Sequence, residues 1–324
     1  MSLKKQRLAT ARAVARSYLI CQAKIQFAPG VQDLKELSAA SFIVPKYVQG
    51  PQHAMPKVIT INNWKRPDMY RQVLEGLSSC PEISNYQIIN IIDQHPNKIF
   101  EKQFTKIDEQ SKLNIITLLP TKHMGCAGAK KQAFTMGFEQ GADFVINLED
   151  DIIPGASYLH YMEWADKKFR DDENVHAVIG WSRTVREKPE DFFEIQVRTP
   201  DKTYQAFGIW DTTWAETGNG ADWFGINWNE KVYKPKDGEG HTYTGEEFLK
   251  RIIKTDKGSW GWPFLNYWRM GRKCAIPTIS RCQNIGNTRG AFNFNPDWHR
   301  QWIHNPIWAE DRPAPDSYTI KAGR

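Results

Sequence analysis

The sequence contains no apolar run near the roughly 18 residues that a membrane-spanning helix requires. Its basic start has neither the continuous hydrophobic segment nor the small-residue cleavage site of a secretion signal. Membrane insertion and secretion are not expected, and a cytoplasmic location is. Cysteine is scarce as well. Five thiols (Cys21, Cys80, Cys126, Cys274, Cys282) in 324 residues are too few for a disulfide scaffold, and an odd number cannot pair fully within one chain. A reducing compartment is the simpler expectation. Cys274 and Cys282 have no neighbouring histidine pair, which argues against a structural zinc. The phosphate-loop pattern GxxxxGKS/T, the dinucleotide fingerprint GxGxxG, paired CxxC spacing and HExxH are all missing. So are internal repeats and low-complexity segments.

What is present describes a folded protein. Hydrophobic residues make up 40% and charged residues 25%, close to ordinary globular usage. The formal charge is +6 with a pI of about 8.9, a mild excess that suits an anionic ligand such as a nucleotide, a nucleic acid or a lipid surface. The excess is uneven. Residues 1–32 carry Lys4, Lys5, Arg7, Arg12, Arg16 and Lys24 and no acidic residue. Within them Leu8 to Ile25, with Leu8, Val14, Tyr18, Leu19 and Cys21 among basic and small residues, reads as a helix with a basic face. That face is either a solvated surface or a contact for phosphates.

After a connector punctuated by Pro29, Pro45, Gly50 and Pro51, strands and helices alternate. Lys57 to Asn62 is a β-branched run closed by Asn63-Trp64-Lys65-Arg66-Pro67, and Asp68 to Leu77 follows with helical spacing. Gln87 to Ile92 ends at Asp93-Gln94; then come Leu113 to Leu119, a helix from about Ala127 to Gln140, and the strand Phe144 to Leu148. This alternation predicts an α/β fold with a mostly parallel sheet flanked by helices, whose ligands sit beyond the carboxyl ends of the strands. The chain divides into a basic extension (1–55), an alternating half (56–180) and an irregular half (181–324). Eleven of the 13 tryptophans lie from Trp181 onward. Their flat faces could line an acceptor groove or fill a core.

The sharpest feature is the run Phe144 to Pro154, FVINLEDDIIP. An apolar strand that delivers Glu149, Asp150 and Asp151 to one point concentrates charge that a cation would relieve, and hard carboxylate oxygens suit Mg²⁺ or Mn²⁺. The plainer alternative is an acidic turn that opens the next helix.

Taken in order, KVITINNWKRP, IINIIDQ, a Gly/Ala-rich helix and FVINLEDDIIPG resemble the nucleotide-sugar-binding half of metal-dependent GT-A glycosyltransferases, a Rossmann-like fold shared with the broader family 2 type enzymes. The segments Gly180 to Ser182, Asp222 to Trp228, Trp260 to Arg269 and CAIPTISR (274–281) followed by Asn284-Ile285-Gly286 are similar to those of the N-acetylglucosaminyltransferase I family and its protein-O-mannose-linked relative. The resemblance covers about residues 56–295. It implies transfer of a hexosyl or N-acetylhexosaminyl unit, with inversion, from a nucleotide diphosphate donor (UDP-linked by preference) with Mn²⁺ or Mg²⁺. Asp151 would ligate the metal, Asp150 lie near the ribose and Glu149 near the donor sugar. Arg66 and Asp93 would hold the nucleobase end, His123 or Lys130 the ribose and phosphates, and Arg289 would sit in a segment that closes over the donor. Trp223, Trp260, Trp262 and Asn266 would face the acceptor.

One departure matters. The family's catalytic aspartate aligns with the loop Trp262 to Trp268, where Asn266 stands, and an amide cannot accept a proton as a general base. Asp222, Glu246 and Glu247 are the carboxylates in the flanking segments. The acceptor is open between a surface-glycan precursor, a protein and a hydroxymethylated base of DNA. A non-catalytic module that binds sugar nucleotides or glycans is the alternative from another class.

Overall fold

The computed structural model describes residues 55–182, 193–198, 205–216, 272–286 and 317–322. The basic extension lies outside them, as do most of the late tryptophans. In chain order the strands are β1 (Lys57–Asn63), β2 (Tyr86–Ile92), β3 (Ile115–Leu118), β4 (Phe144–Glu149), β5 (Ile152–Pro154), β6 (Val175–Ile179), β7 (Glu194–Arg198), β8 (Phe207–Trp210), β9 (Lys273–Pro277), β10 (Cys282–Asn284) and β11 (Thr319–Ala322). The helices are α1 (Pro67–Ser78), α2 (Ile99–Gln110), α3 (Gly125–Glu139), α4 (Tyr158–Phe169) and α5 (Asp211–Glu216).

Among the described residues nine strands form one sheet in the order β11-β7-β9-β6-β8-β4-β1-β2-β3. The side made of β4, β1, β2 and β3 is parallel throughout. Strand β8 enters antiparallel between β4 and β6, so the sheet is mixed. Strands β1, β2 and β4 are almost wholly buried, as expected of parallel strands covered on both faces. On one face they meet Tyr70, Val73, Leu74 and Leu77 of α1, Phe104 and Ile107 of α2, and Tyr158, Tyr161 and Met162 of α4. On the other they meet Ala129, Ala133 and Phe134 of α3 with Trp214 of α5. The result is a three-layer α/β/α fold.

Each helix follows from its residues. Pro67 fixes the first turn of α1, and the i, i+3, i+4, i+7 spacing of its buried positions turns one face to the sheet. Helix α2, which the sequence reading does not mark, is carried by Phe100, Phe104 and Ile107 at the same spacing. Asp108 sits on that apolar face because three donors await it: Tyr70 Oη at 2.5 Å, Asn90 Nδ2 at 2.6 Å and Thr117 Oγ1 at 2.6 Å.

The half read as irregular supplies β7, β8, β9 and β11 to the same sheet. These strands have 4 or 5 residues each and are separated by long connections, too short for a period-2 pattern to stand out. Trp181, Trp210 and Trp214 are core residues: Trp210 Nε1 donates to Asp166 at 2.8 Å, and Trp214 stacks on Phe138. Cys80, Cys126 and Cys282 are free thiols, and Cys274 Sγ lies 3.5 Å from His176 Nε2.

The chain runs outward from β1 to β2 and β3, then returns to place β4 on β1's other side. That reversal splays the connections at the carboxyl ends of β1 and β4, and a crevice opens where ligands of such sheets bind.

Candidate functional site

The acidic run ends at this crevice, and strand geometry sorts its side chains. Successive residues point to opposite faces, so Glu149 turns toward α3 and Asp150 toward α1. Each meets a cation. Lys130 of α3, with no exposed surface, places Nζ 2.9 Å from Glu149 Oε1. Arg66, at the residue before Pro67, donates from Nε to Asp150 Oδ2 at 3.2 Å and from Nη1 to Asp151 Oδ2 at 2.6 Å, while Nη2 bonds Asp150 Oδ1. Two cations thus face three carboxylates, and one formal negative charge is left over.

Asp151 is 6% exposed and held on several sides. Its backbone carbonyl accepts from Ile285 N at 2.8 Å, because β5 pairs with β10 and brings the Asn284-Ile285-Gly286 segment against it. Gly286 is required by this approach: a Cβ there would collide with Asp151 Oδ2. The second carboxylate oxygen, Oδ1, is buried with no hydrogen-bond partner. Burial pushes the Asp150 carboxyl up to about 7 against the pull of Arg66, and it raises Asp151 in the same way. Arg66 is itself partly desolvated, yet the two carboxylates together hold it charged and raise its pKa.

A hard divalent cation fits these groups. The unpartnered Oδ1 is a hard oxygen donor, and the surplus negative charge lies beside it. Among the described residues no three His, Cys, Asp or Glu side chains converge as a complete ligand set. The described residues thus offer an ion one open carboxylate oxygen, that of Asp151.

Asp93, beyond β2, has a different task. Its carboxylate accepts from the backbone amides of Gln94, Met124 and Gly125, each at 2.8 Å, and so caps the N-terminus of α3. Gly125 permits the cap through a φ of +69°, which a side chain would strain. His123 Nδ1 lies 2.9 Å from Asp93 Oδ2, with its ring otherwise exposed. Arg66 and Asp93, expected together at the nucleobase end, thus serve different groups: Arg66 the acidic pair and Asp93 the helix.

Four residues at this edge, Asn62, Trp64, Lys65 and His95, were missed by sequence reasoning. Trp64, 38% exposed, packs beside His95 and His123 with ring centroids 5.3 and 5.7 Å away, and Lys65 Nζ lies 4.4 Å from its ring centroid. These residues come from the connections after β1, β2 and β3, so only the sheet brings them together. Asn62, in register with Glu149, has both amide atoms buried and unpartnered. Asp222, Trp223, Glu246, Glu247, Trp260, Trp262, Asn266 and Arg289 lie outside the described residues.

No protein-family model and no curated protein matches the chain. Solved structures do. A mannosyltransferase from Pyrobaculum calidifontis, in complex with GDP-Man and Mn²⁺, aligns over 87% of this chain at 12% identity and a TM-score of 0.43. TarS of S. aureus, in complex with UDP, aligns over 70% at 11% identity and a TM-score of 0.42. The glucosyl-3-phosphoglycerate synthase of Mycobacterium tuberculosis, with Mn²⁺, UDP and phosphoglyceric acid, aligns over 39% of this chain and 43% of its own at 12% identity and a TM-score of 0.28. The chain spans 66% of the mannosyltransferase and 60% of TarS residues 1–349. No helix among the described residues is long and apolar enough to cross a membrane.

Proposed function

We propose that this protein is a GT-A-type glycosyltransferase that takes a nucleotide diphosphate sugar and passes the sugar to a hydroxyl. The observation that carries the reading is the buried, unpartnered Asp151 Oδ1 in a carboxylate pair that one guanidinium only half compensates, at the sheet's switch point. An open, hard oxygen with one uncompensated negative charge beside it suits a divalent ion that is held together with a diphosphate. Asp151 would hold Mn²⁺ or Mg²⁺, whose chemistry when bound is to offset charge developing on the leaving diphosphate.

The chain's own groups do the rest. Lys130 fixes Glu149 toward the donor sugar, and Asp93 sets the start of α3 and orients His123. Trp64 offers a flat face to a planar base. The proposed acceptor side, Trp223, Trp260, Trp262 and Asn266, and the lid carrying Arg289 follow from the resemblance, as does inversion. The base would be Asp222, Glu246 or Glu247, because Asn266 cannot take the proton. UDP is the preferred nucleotide, and the acceptor is a cytoplasmic glycan precursor, protein or hydroxymethylated DNA base. Asn266 also favours a second reading, a module that binds the donor and does not transfer it.

A thermal-shift screen of UDP- and GDP-sugars with Mn²⁺, with Mg²⁺ and with chelator, followed by donor hydrolysis, tests this. Stabilisation that needs both nucleotide sugar and ion, with hydrolysis, supports the enzyme. Binding without turnover supports the module. No response to any nucleotide sugar defeats both.

A further inference from the structure

Arg66 occupies the N-cap position of α1, where Ser, Thr, Asp or Asn is usual, and makes no cap hydrogen bond from its side chain. Its guanidinium instead crosses the crevice to the end of β4. Nε and Nη2 take both oxygens of Asp150, and Nη1 takes Oδ2 of Asp151. The planar fork therefore satisfies three of the pair's four oxygens. The fourth, Asp151 Oδ1, belongs to a residue more than nine-tenths buried and has no partner.

A divalent ion at that oxygen shares a carboxylate with a guanidinium, so the two cations repel across Asp151. We propose that Arg66 is a built-in rival of the metal at the Asp150–Asp151 pair, a positioning residue that keeps the affinity for the free ion low. The ion then binds well only with an anionic diphosphate, whose charge offsets both cations. This rests on the assignment of Asp151 as metal ligand. It gives the site an order: nucleotide and metal enter together, and metal alone does not occupy it.

The test uses the full chain and Mn²⁺ alone, with free ion followed by its electron paramagnetic resonance signal. Arg66→Met should bind Mn²⁺ at least about tenfold more tightly than the parent without nucleotide, since one opposing charge is gone. In chelator this variant should melt below the parent, and Mn²⁺ should restore more of its melting temperature than the parent gains. Arg66→Lys, which keeps the charge but cannot span both carboxylates, should fall between them. It also provides the comparison if the methionine variant does not fold. Adding Asp151→Asn to Arg66→Met should abolish the gain.

Variants that fold and bind Mn²⁺ no more tightly than the parent overturn the proposal and reduce Arg66 to a helix-start residue, while nucleotide-dependent Mn²⁺ binding by the parent leaves the glycosyltransferase reading standing. Failure of parent and variants alike to bind Mn²⁺, even with UDP or GDP, removes the metal assignment and the proposal with it.

Discussion

Two of the buried carboxylate groups that flank this sheet are finished differently. Asp108, on α2, receives three neutral donors from Tyr70, Asn90 and Thr117, and Asn90 passes the network on to Asn63 at 2.5 Å. Asp150 and Asp151, at the end of β4, are held by a guanidinium, and one oxygen is left without a partner. A closed set of hydrogen bonds locks elements together; an open oxygen next to surplus charge serves a ligand. Burial alone does not distinguish them, since Asp108 is 8% exposed and Asp151 6%.

The sharpest way to break the comparison is to remove one carboxylate from each. Asp108→Ala should cost about 3 to 5 kcal/mol of stability, because three buried donors lose their acceptor at once. Asp151→Ala should cost less than about 1 kcal/mol, since Arg66 keeps Asp150 and carboxylate repulsion is relieved. It should lower Mn²⁺-dependent nucleotide affinity by about 100-fold or more. Denaturant midpoints and nucleotide titrations of both variants check the pair. Equal stability losses would erase the distinction.

A buried base sharpens it from the opposite sign of charge. His176 on β6 has its pKa pushed down to about 3, chiefly by burial and secondarily by Arg272. The folded value lies below the ordinary 6.5, so the unfolded chain binds the proton first. Stability from this group is therefore full above pH 6.5 and is lost as pH falls toward 3. Between pH 6.5 and 5 the loss should be about 2 kcal/mol. Chemical denaturation over that range should show a shallower slope for His176→Leu than for the parent, and an unchanged slope would refute the linkage.

Gly286 tests how closely the site's walls are fitted. A methyl group at Gly286 meets Asp151 Oδ2, so Gly286→Ala should weaken Mn²⁺-dependent nucleotide binding by about tenfold, or about 1.4 kcal/mol, with the fold kept. Unchanged binding would mean that Asp151 moves freely.

How much of this was legible in the sequence depends on reach along the chain. The parallel strands around β1 could be read because each is a long β-branched run that ends in turn residues, and the run into Glu149-Asp150-Asp151 marked the site. Helix α2 also carried its signal, in Phe100, Phe104 and Ile107. What escaped besides α2 depends on pairings distant in sequence. Arg66 meets Asp150 84 residues away, and Asp93 caps a helix that starts 32 residues on. No local pattern encodes either pairing. The short strands β7, β8, β9 and β11 of the second half failed for a related reason: each is held by pairing with a strand distant in sequence.

The smallest effect concerns cations that have no acidic neighbour in sequence. Arg66 and Lys130 are committed to internal carboxylates, whereas Lys4, Lys5, Arg7, Arg12, Arg16 and Lys24 belong to a stretch of 32 residues without Asp or Glu. If the acceptor is DNA, those charges act on phosphates and should leave donor chemistry alone. Deleting residues 1–25 should then keep donor hydrolysis intact and weaken duplex binding. The plot of log affinity against log salt should flatten by about one unit for each phosphate that the shortened chain no longer neutralises. Filter binding of both chains over a salt series, beside a glycan acceptor, makes the comparison. Equal, weak and salt-insensitive binding by the two chains would exclude nucleic acid as the acceptor, and the commitment of charge to internal partners would then no longer separate the site from the extension.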